Sequence, residues 1–232
     1  LAGIKHENTA EHAGFSAAGV SDIPLKRAFD LLFALSGLVF LAPLLIAITG
    51  LLIFAGVAQP IFRQKRIGRH GAIFTILKFR TLPEANPRQH VTKTHPWARP
   101  RTRKFTRFLR RSGLDELPQL FNVLRGEMSI VGPRPHSIAD HRQFTSRVTH
   151  YDQRHRLKPG MTGWAQVNGW RGPVCNDAHL IARLSHDLEY LAKSGLAFDA
   201  LIILKTATLP FRSQRQCSKL KVSCLSCQRP LI

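Results

Sequence analysis

The sequence predicts an α+β fold: a membrane-embedded re-entrant helix-break-helix, then a small cytoplasmic domain of short strands and amphipathic interfacial helices. Three observations carry that expectation. Leu31 to Ala58 is an uncharged run, LLFALSGLVFLAPLLIAITGLLIFAGVA, longer than the ~20 apolar residues a spanning helix needs. After it come short β-like runs separated by Gly- and Pro-rich turns. Between these lie segments with apolar residues at helical spacing and basic residues on the other face.

The flanks of the apolar run shape its topology. Lys26 and Arg27 precede it, and Arg63, Lys65, Arg66 and Arg69 follow it. Excess Lys and Arg marks the cytoplasmic side of a membrane, and here both ends carry it. A hairpin satisfies that rule at both ends, while one straight crossing violates it at one. Pro43 sits near the middle, where it removes a backbone donor and bends a helix. The expected element therefore occupies residues 23–60, enters the membrane, breaks at Ala42-Pro43 and returns. A spanning helix with a proline kink and a buried core helix are the alternatives. The run is too long and too far along the chain for a signal peptide.

Residues 1–22 are polar and aperiodic and read as a disordered lead-in or linker. IFRQKRIGRHGAIFTILKFRTL (61–82) reads as two short strands around a GRHG turn. Residues 83–103 read as a loop. RKFTRFLRR (103–111) reads as a membrane-surface helix, or a surface helix on a soluble core. In LDELPQLFNVLRG, Leu117, Leu120, Phe121 and Leu124 recur at helical spacing, Pro118 falls in the first turn and Gly126 suits the C-cap. GEMSIVGPRP is a turn, a short strand and a rigid loop. LKPGMTGWAQVNGWRG (157–172) is Gly-rich, with strand character at Trp164–Val167. Residues 176–195 form an amphipathic helix with Leu180, Leu184, Leu188 and Leu191 on one face. Residues 196–210 form a further apolar helix. The expected cytoplasmic unit spans 61–210, and 211–232 is an atypical Cys-containing tail.

The chain has 232 residues, of which 44% are apolar, enough for a packed core. It opens without Met, on LAGIKHENTAEHAGF, and reads as a fragment or processed chain. Cys175, Cys217, Cys224 and Cys227 are too few and too clustered for a secreted disulfide scaffold, which favours a reducing compartment. The formal charge of +20 points to polyanionic partners. Nucleic acid is disfavoured, because no reader motif is present and the apolar run is unlike such proteins. The eleven His show no H-x-x-x-H or comparable cluster, so no His-metal site is expected. Trp164 and Trp170 suit a uridine, an interface or simple packing.

Asp115 and Glu116 are neighbours in this basic chain, with Arg110 and Arg111 before them and Arg134 after. The plain reading is an N-cap and a first-turn acid. The second reading is chemical. Arginine grips phosphate with a fork of donors, and Pro133 and Pro135 stiffen the loop that carries Arg134. A carboxylate among cations stays ionised, available as a nucleophile or a Mg²⁺ ligand. That suggests phosphoryl chemistry on a lipid-linked substrate.

KRAFDLLFALSGLVFLAPLLIA, FRQKRIGRHGAIFTILKFRTL, FLRRSGLDELPQLFNVLRGEMSIVGPRP and LKPGMTGWAQVNGWRG stand in that order. Over roughly residues 24–205 the chain resembles the bacterial sugar transferase family, the monotopic polyprenyl-phosphate phosphoglycosyl transferases. The last block most resembles the branch that starts exopolysaccharide synthesis, in which a membrane region often precedes this domain. The resemblance implies a sugar-1-phosphate transfer from a UDP-sugar (UDP-glucose or UDP-galactose) to undecaprenyl phosphate, at the cytoplasmic face of a bacterial inner membrane. It implies Asp115 as the nucleophile and Glu116 as a Mg²⁺ ligand or phosphate positioner. It implies Arg110, Arg111 and Arg134 as phosphate-binding residues, with Arg80 as a further candidate or a strand-surface residue. Three departures stand out. Ala42-Pro43 replaces the family's Ser-Pro, HPWARPRTRKF replaces an NDPRIT-like stretch, and the tail FRSQRQCSKLKVSCLSCQRPLI has no family counterpart. A catalytically inactive membrane scaffold of the same fold is the rival reading.

Overall fold

The computed structural model describes residues 24–82, 100–174 and 176–208. The lead-in expected over 1–22, most of the loop expected over 83–103 and the tail expected over 211–232 lie outside them. The first element is a helix, α1 (Pro24–Phe54). Its Leu- and Ala-rich sequence favours helix, and a proline in the first turn costs no bond. The sequence reading divides this segment at Ala42-Pro43, but helix continues through Pro43 as one element. Proline removes one intrahelical bond, and the turns on either side keep theirs.

One stripe of α1 faces protein. Lys26, Asp30, Ala34, Ile48 and Leu52 are buried, with Leu38 and Leu45 packed beside them. The other faces are apolar and exposed, including Leu32, Phe40, Ile46 and Phe54. The helix is long and apolar enough to cross a membrane, and hydrocarbon tolerates such a surface better than water. Both ends of α1 pack on the rest of the chain. Near the start, Ala34 joins Leu120, Val123 and Ile130, and near the end, Ile48 and Leu52 join Phe79 and Leu109.

The basic residues before the apolar run turn inward. Lys26 Nζ lies 3.2 Å from Asp30 Oδ1 and 2.7 Å from Asp199 Oδ2, all buried. Asp30 also accepts from Ser129 Oγ and the Ile130 N–H, each at 3.0 Å. Arg27 donates to the carbonyls of Val123 (2.7 Å) and Leu124 (2.9 Å). Those carbonyls end a short helix, where orphan acceptors need donors.

The expected hairpin is present. Strands β1 (Ile61–Ile67) and β2 (Ile73–Phe79) pair antiparallel around a 3₁₀ turn at Arg69–Gly71. One face of β2 places Phe74 and Ile76 in one core cluster, and on the other Phe79 joins a second while Ile73 is exposed. Helix α2 (Pro100–Ser112) starts earlier than the expected loop allows. Leu109 is buried, Phe108 is exposed, and Arg101, Arg103, Lys104, Arg107, Arg110 and Arg111 face outward.

A 3₁₀ turn at Leu114–Glu116 then leads to α3 (Gln119–Leu124), with Pro118 as its N-cap instead of inside its first turn. The buried Asn122 side chain docks α3 on β2. Its Oδ1 accepts from the Leu77 N–H (3.0 Å), and its Nδ2 donates to the Thr75 carbonyl (2.7 Å). An amide side chain thus replaces a neighbouring strand at that edge.

Strand β3 (Ser129–Val131) pairs parallel with β4 (Gly160–Thr162). A Cβ on Gly160 would stand 2.0 Å from the Gly132 nitrogen, so only glycine allows this approach. The strand expected at Trp164–Val167 therefore lies earlier, and Trp164–Val167 is a helical turn, α5. Between β3 and β4 lie α4 (Ile138–Thr145), opened by a Ser137–Asp140 capping box, and a 3₁₀ turn at Tyr151–Arg156. The last elements are α6 (Asp177–Lys193) and α7 (Leu196–Ala207). On α6, Leu180 and Leu184 are buried, while Leu188 and Leu191 pack at cluster margins. Short strands, helices and one long apolar helix make an α+β architecture compatible with membrane association.

Candidate active site

The acid pair sits on the 3₁₀ turn after α2. Gly113 precedes it with φ of 79°, and a Cβ there would lie 2.9 Å from Arg171 NH2. Glycine supplies the left-handed turn and lets the Arg171 guanidinium approach. The two acids then diverge. Glu116 Oε1 accepts from Lys78 Nζ (2.8 Å) and Arg134 NH2 (2.9 Å), and its Oε2 meets Arg134 NH1 at 3.4 Å. No donor among the described residues hydrogen-bonds the Asp115 carboxylate.

Charge follows contact. Burial alone pushes Glu116 up, but Arg134 and Lys78 outweigh it and hold this carboxyl well below its usual range. Burial raises Asp115, and the adjacent Glu116 charge adds to the rise; Lys78, Arg134 and Arg171 only partly offset them. The surrounding cations thus bind Glu116 directly and act on Asp115 only through their charge. Burial lowers Lys78, although Glu116 pulls the other way.

Arg134 is aimed by a locked loop. Four successive carbonyls each accept a bond. Pro133 accepts from the Gly160 N–H (3.0 Å), Arg134 from Arg154 NH2 (2.8 Å), Pro135 from Arg66 NH1 (3.4 Å) and His136 from the Ile67 N–H (3.1 Å). Pro133 and Pro135 are buried; they fix this backbone and do not line the cleft. Behind them, Arg154 Nε donates to the buried Asp187 (2.9 Å). Arg183 NH1 faces His136 Nε2 (3.2 Å), while Arg154 NH1 (3.1 Å) and the Tyr151 hydroxyl face its Nδ1. Burial among Arg154 and Arg183 keeps this imidazole neutral.

Other expected residues lie elsewhere. Arg80 is one residue past β2. Its Nε donates to the Gln59 carbonyl (2.8 Å), and its guanidinium lies over the Phe62 ring at 5.7 Å. Arg110 and Arg111 are exposed in the last turn of α2 and bond neither carboxylate. Two basic residues escaped the sequence reading: Lys78, two before the chosen Arg80, and Arg171 in NGWRG. Strand parity placing Lys78 on the face of Phe74 and Ile76 was the available signal. Arg171 carried none. Trp164 is packed, donating to Glu189 (2.7 Å) and tilted against the Phe198 ring at 4.9 Å.

A cleft of about 220 Å³ opens beside the acid turn. Gly113, Glu116 and Arg171 line it together with Phe33 of α1, Met161 and Ile203. The lining thus mixes one carboxylate and one guanidinium with apolar side chains. For Mg²⁺, which takes one or two carboxylates plus substrate phosphates, Glu116 Oε2 is the fitting donor. It carries only the long Arg134 contact, whereas Oε1 is shared by two cations.

Residues 21–213 match the family described as bacterial sugar transferase. The UDP-glucose:undecaprenyl-phosphate glucose-1-phosphate transferase of Escherichia coli (strain K12) is 39% identical over 210 residues, covering 88% of this chain and 45% of the relative. The protein of the same name from Xanthomonas campestris pv. campestris is 42% identical over 186 residues, covering 78% and 38%. The UDP-N-acetylgalactosamine-undecaprenyl-phosphate N-acetylgalactosaminephosphotransferase of Aeromonas hydrophila is 34% identical over 182 residues, covering 78% and 42%. The chain thus spans less than half the length of these relatives. With a match over most of its own length and the ordered LDELPQL, MSIVGPRP and KPGMTGWAQVNG blocks, the chain belongs to the bacterial sugar transferase family.

Proposed function

We propose that this chain transfers a sugar-1-phosphate from a UDP-sugar to undecaprenyl phosphate, with Asp115 as the nucleophile. The observation that carries this reading is the division within the acid pair. Glu116 is bound by Lys78 and Arg134, while the adjacent Asp115 accepts no hydrogen bond from the described residues and is raised by burial. A more basic carboxylate is the better nucleophile. An Asp115 oxygen attacks the donor's β-phosphorus, the bond to the bridging oxygen breaks, and UMP leaves. The sugar phosphate stays as an acyl phosphate on Asp115. A phosphate oxygen of undecaprenyl phosphate then attacks that phosphorus and frees the carboxylate, giving the diphosphate-linked sugar.

Lys78, Arg134 and Arg171 would offset negative charge around the reacting phosphates. Glu116 would hold Mg²⁺ together with the donor's phosphate oxygens, where the ion neutralises charge. Two relatives named for glucose-1-phosphate transfer favour UDP-glucose as donor. The re-entrant topology is part of the same reading. The two halves of α1 pack on separate core clusters, Ala34 on one and Ile48 and Leu52 on the other, and basic residues flank both ends. A straight helix of this length would separate its ends by roughly 45 Å. A bend of the continuous α1 at Pro43 would set the acid pair at the cytoplasmic face of the inner membrane, level with the lipid phosphate.

The test is nucleotide release by membranes holding the full chain, given undecaprenyl phosphate, Mg²⁺ and UDP-glucose, UDP-galactose or UDP-N-acetylgalactosamine. UMP release by the native chain and not by Asp115→Asn is expected. UDP release would overturn the mechanism. No product from folded, membrane-bound protein would favour the inactive scaffold.

A further inference from the structure

We propose that His141, Asp152 and His155 form a divalent transition-metal site of the zinc class that clamps α4 to the 3₁₀ turn at Tyr151–Arg156. One ligand atom from each residue lies within 4.8 Å of the other two. His155 Nε2 and His141 Nδ1 are 3.3 Å apart. Two nitrogens bound to one tetrahedral zinc at ~2.0–2.1 Å stand about 3.3 Å apart, so the pair already has the spacing of a shared ion. Asp152 Oδ1 is 3.9 Å from the opposite His141 nitrogen, Nε2, and 3.5 Å from Thr145 Oγ1, so it must turn to join the ion that Nδ1 would share with His155. Its side chain is 63% exposed, so it is free to rotate toward the imidazoles and leaves ions a path in.

His155 is buried and His141 partly buried. The Tyr151 ring stands edge-on to His155 and tilted to His141, with centroids 5.7 Å away in each case, and walls one side. Two imidazoles and one carboxylate favour zinc-like ions over Mg²⁺, which prefers oxygen donors. No sequence pattern announced the site. Asp152 and His155 are three apart, in register on a 3₁₀ turn, but His141 comes from another helix. The expectation of no His cluster rested on spacing along the chain.

The site differs from the acid pair and does not depend on the proposed reaction. The test uses the full chain in detergent, stripped with a chelator and titrated with Co²⁺, then with Zn²⁺ in competition. A variant with Cys217, Cys224 and Cys227 changed to Ser runs beside it. We expect one equivalent bound with nitrogen–oxygen visible bands, unchanged in the Cys variant. His141→Ala and Asp152→Asn should each weaken binding by on the order of 10-fold or more, and Zn²⁺ should raise the melting temperature of the native chain but not of these variants. Both positions are at least partly exposed, and circular dichroism of the stripped variants checks their fold. A thiolate charge-transfer signature, equal binding by native chain and variants, or no stoichiometric uptake would each overturn the site.

Discussion

Arg134 grips Glu116 with both prongs of its guanidinium, 2.9 Å to Oε1 and 3.4 Å to Oε2. Glu116 in turn holds Lys78 at 2.8 Å. The three side chains are largely buried, so removing one partner strands a charge.

Arg134→Gln should therefore cost on the order of 3 kcal/mol of stability and lower UMP release by about 100-fold or more. Thermal unfolding and nucleotide release check the two parts. Arg134→Lys keeps the charge but loses the fork, and should recover stability more than rate. Equal recovery of both would argue against a role for the bidentate geometry.

Arg171→Ala and Lys78→Met should each slow UMP release by about 10-fold or more, whereas Arg110→Ala and Arg111→Ala should change it by less than about threefold. Assays in mixed micelles with saturating acceptor separate catalysis from membrane attachment. A larger loss at Arg110 or Arg111 would show that these exposed residues reach the substrate.

Acid should inhibit before it would at an ordinary aspartate. Asp115 is raised above 3.8 by burial and by Glu116, and only its ionised form is nucleophilic. The acid limb of kcat/KM should thus lie above that value, and a limb at or below it would contradict the assignment. Stability moves by two opposed effects. The depressed Glu116 stabilises the fold above its ordinary range, and that stability is lost as pH falls toward its folded value. The raised Asp115 protonates more readily when folded, so acidification through its pKa favours the fold.

Lys26→Met should destabilise the protein by about 3–5 kcal/mol, because it leaves Asp30 and Asp199 buried without their shared cation. Arg63→Met, at an exposed flank position, should cost less than about 0.5 kcal/mol. Unfolding in detergent measures both, and equal effects would mean that Lys26 does not anchor α1.

Gly160→Ala should prevent assembly of the β3–β4 pair, since its Cβ would overlap the Gly132 backbone at 2.0 Å. Backbone on backbone leaves nothing flexible to yield. Folded protein at wild-type yield, with an unchanged melting temperature, would refute this.

Local pattern settled much of this protein. The uncharged run specifies α1 because lipid-facing helix needs little beyond length and apolarity. GRHG between two alternating runs specifies the β1–β2 hairpin, the leucine spacing specifies α6, and Asp115-Glu116 is visible as an acid pair. The ordered blocks name the family. The tertiary structure decided what depends on residues far apart in the chain. Lys78 reaches Glu116 across 38 positions because Asn122 docks α3 on β2. Arg27 meets Leu124 across 97, so a charge read only as a flank of the apolar run is a helix cap. His141 meets His155 only because α4 folds onto the 3₁₀ turn. Sequence periodicity reports which face of an element is apolar. It does not report which charged side chains from other elements arrive there, and the chemistry of the acid pair depends on that arrival.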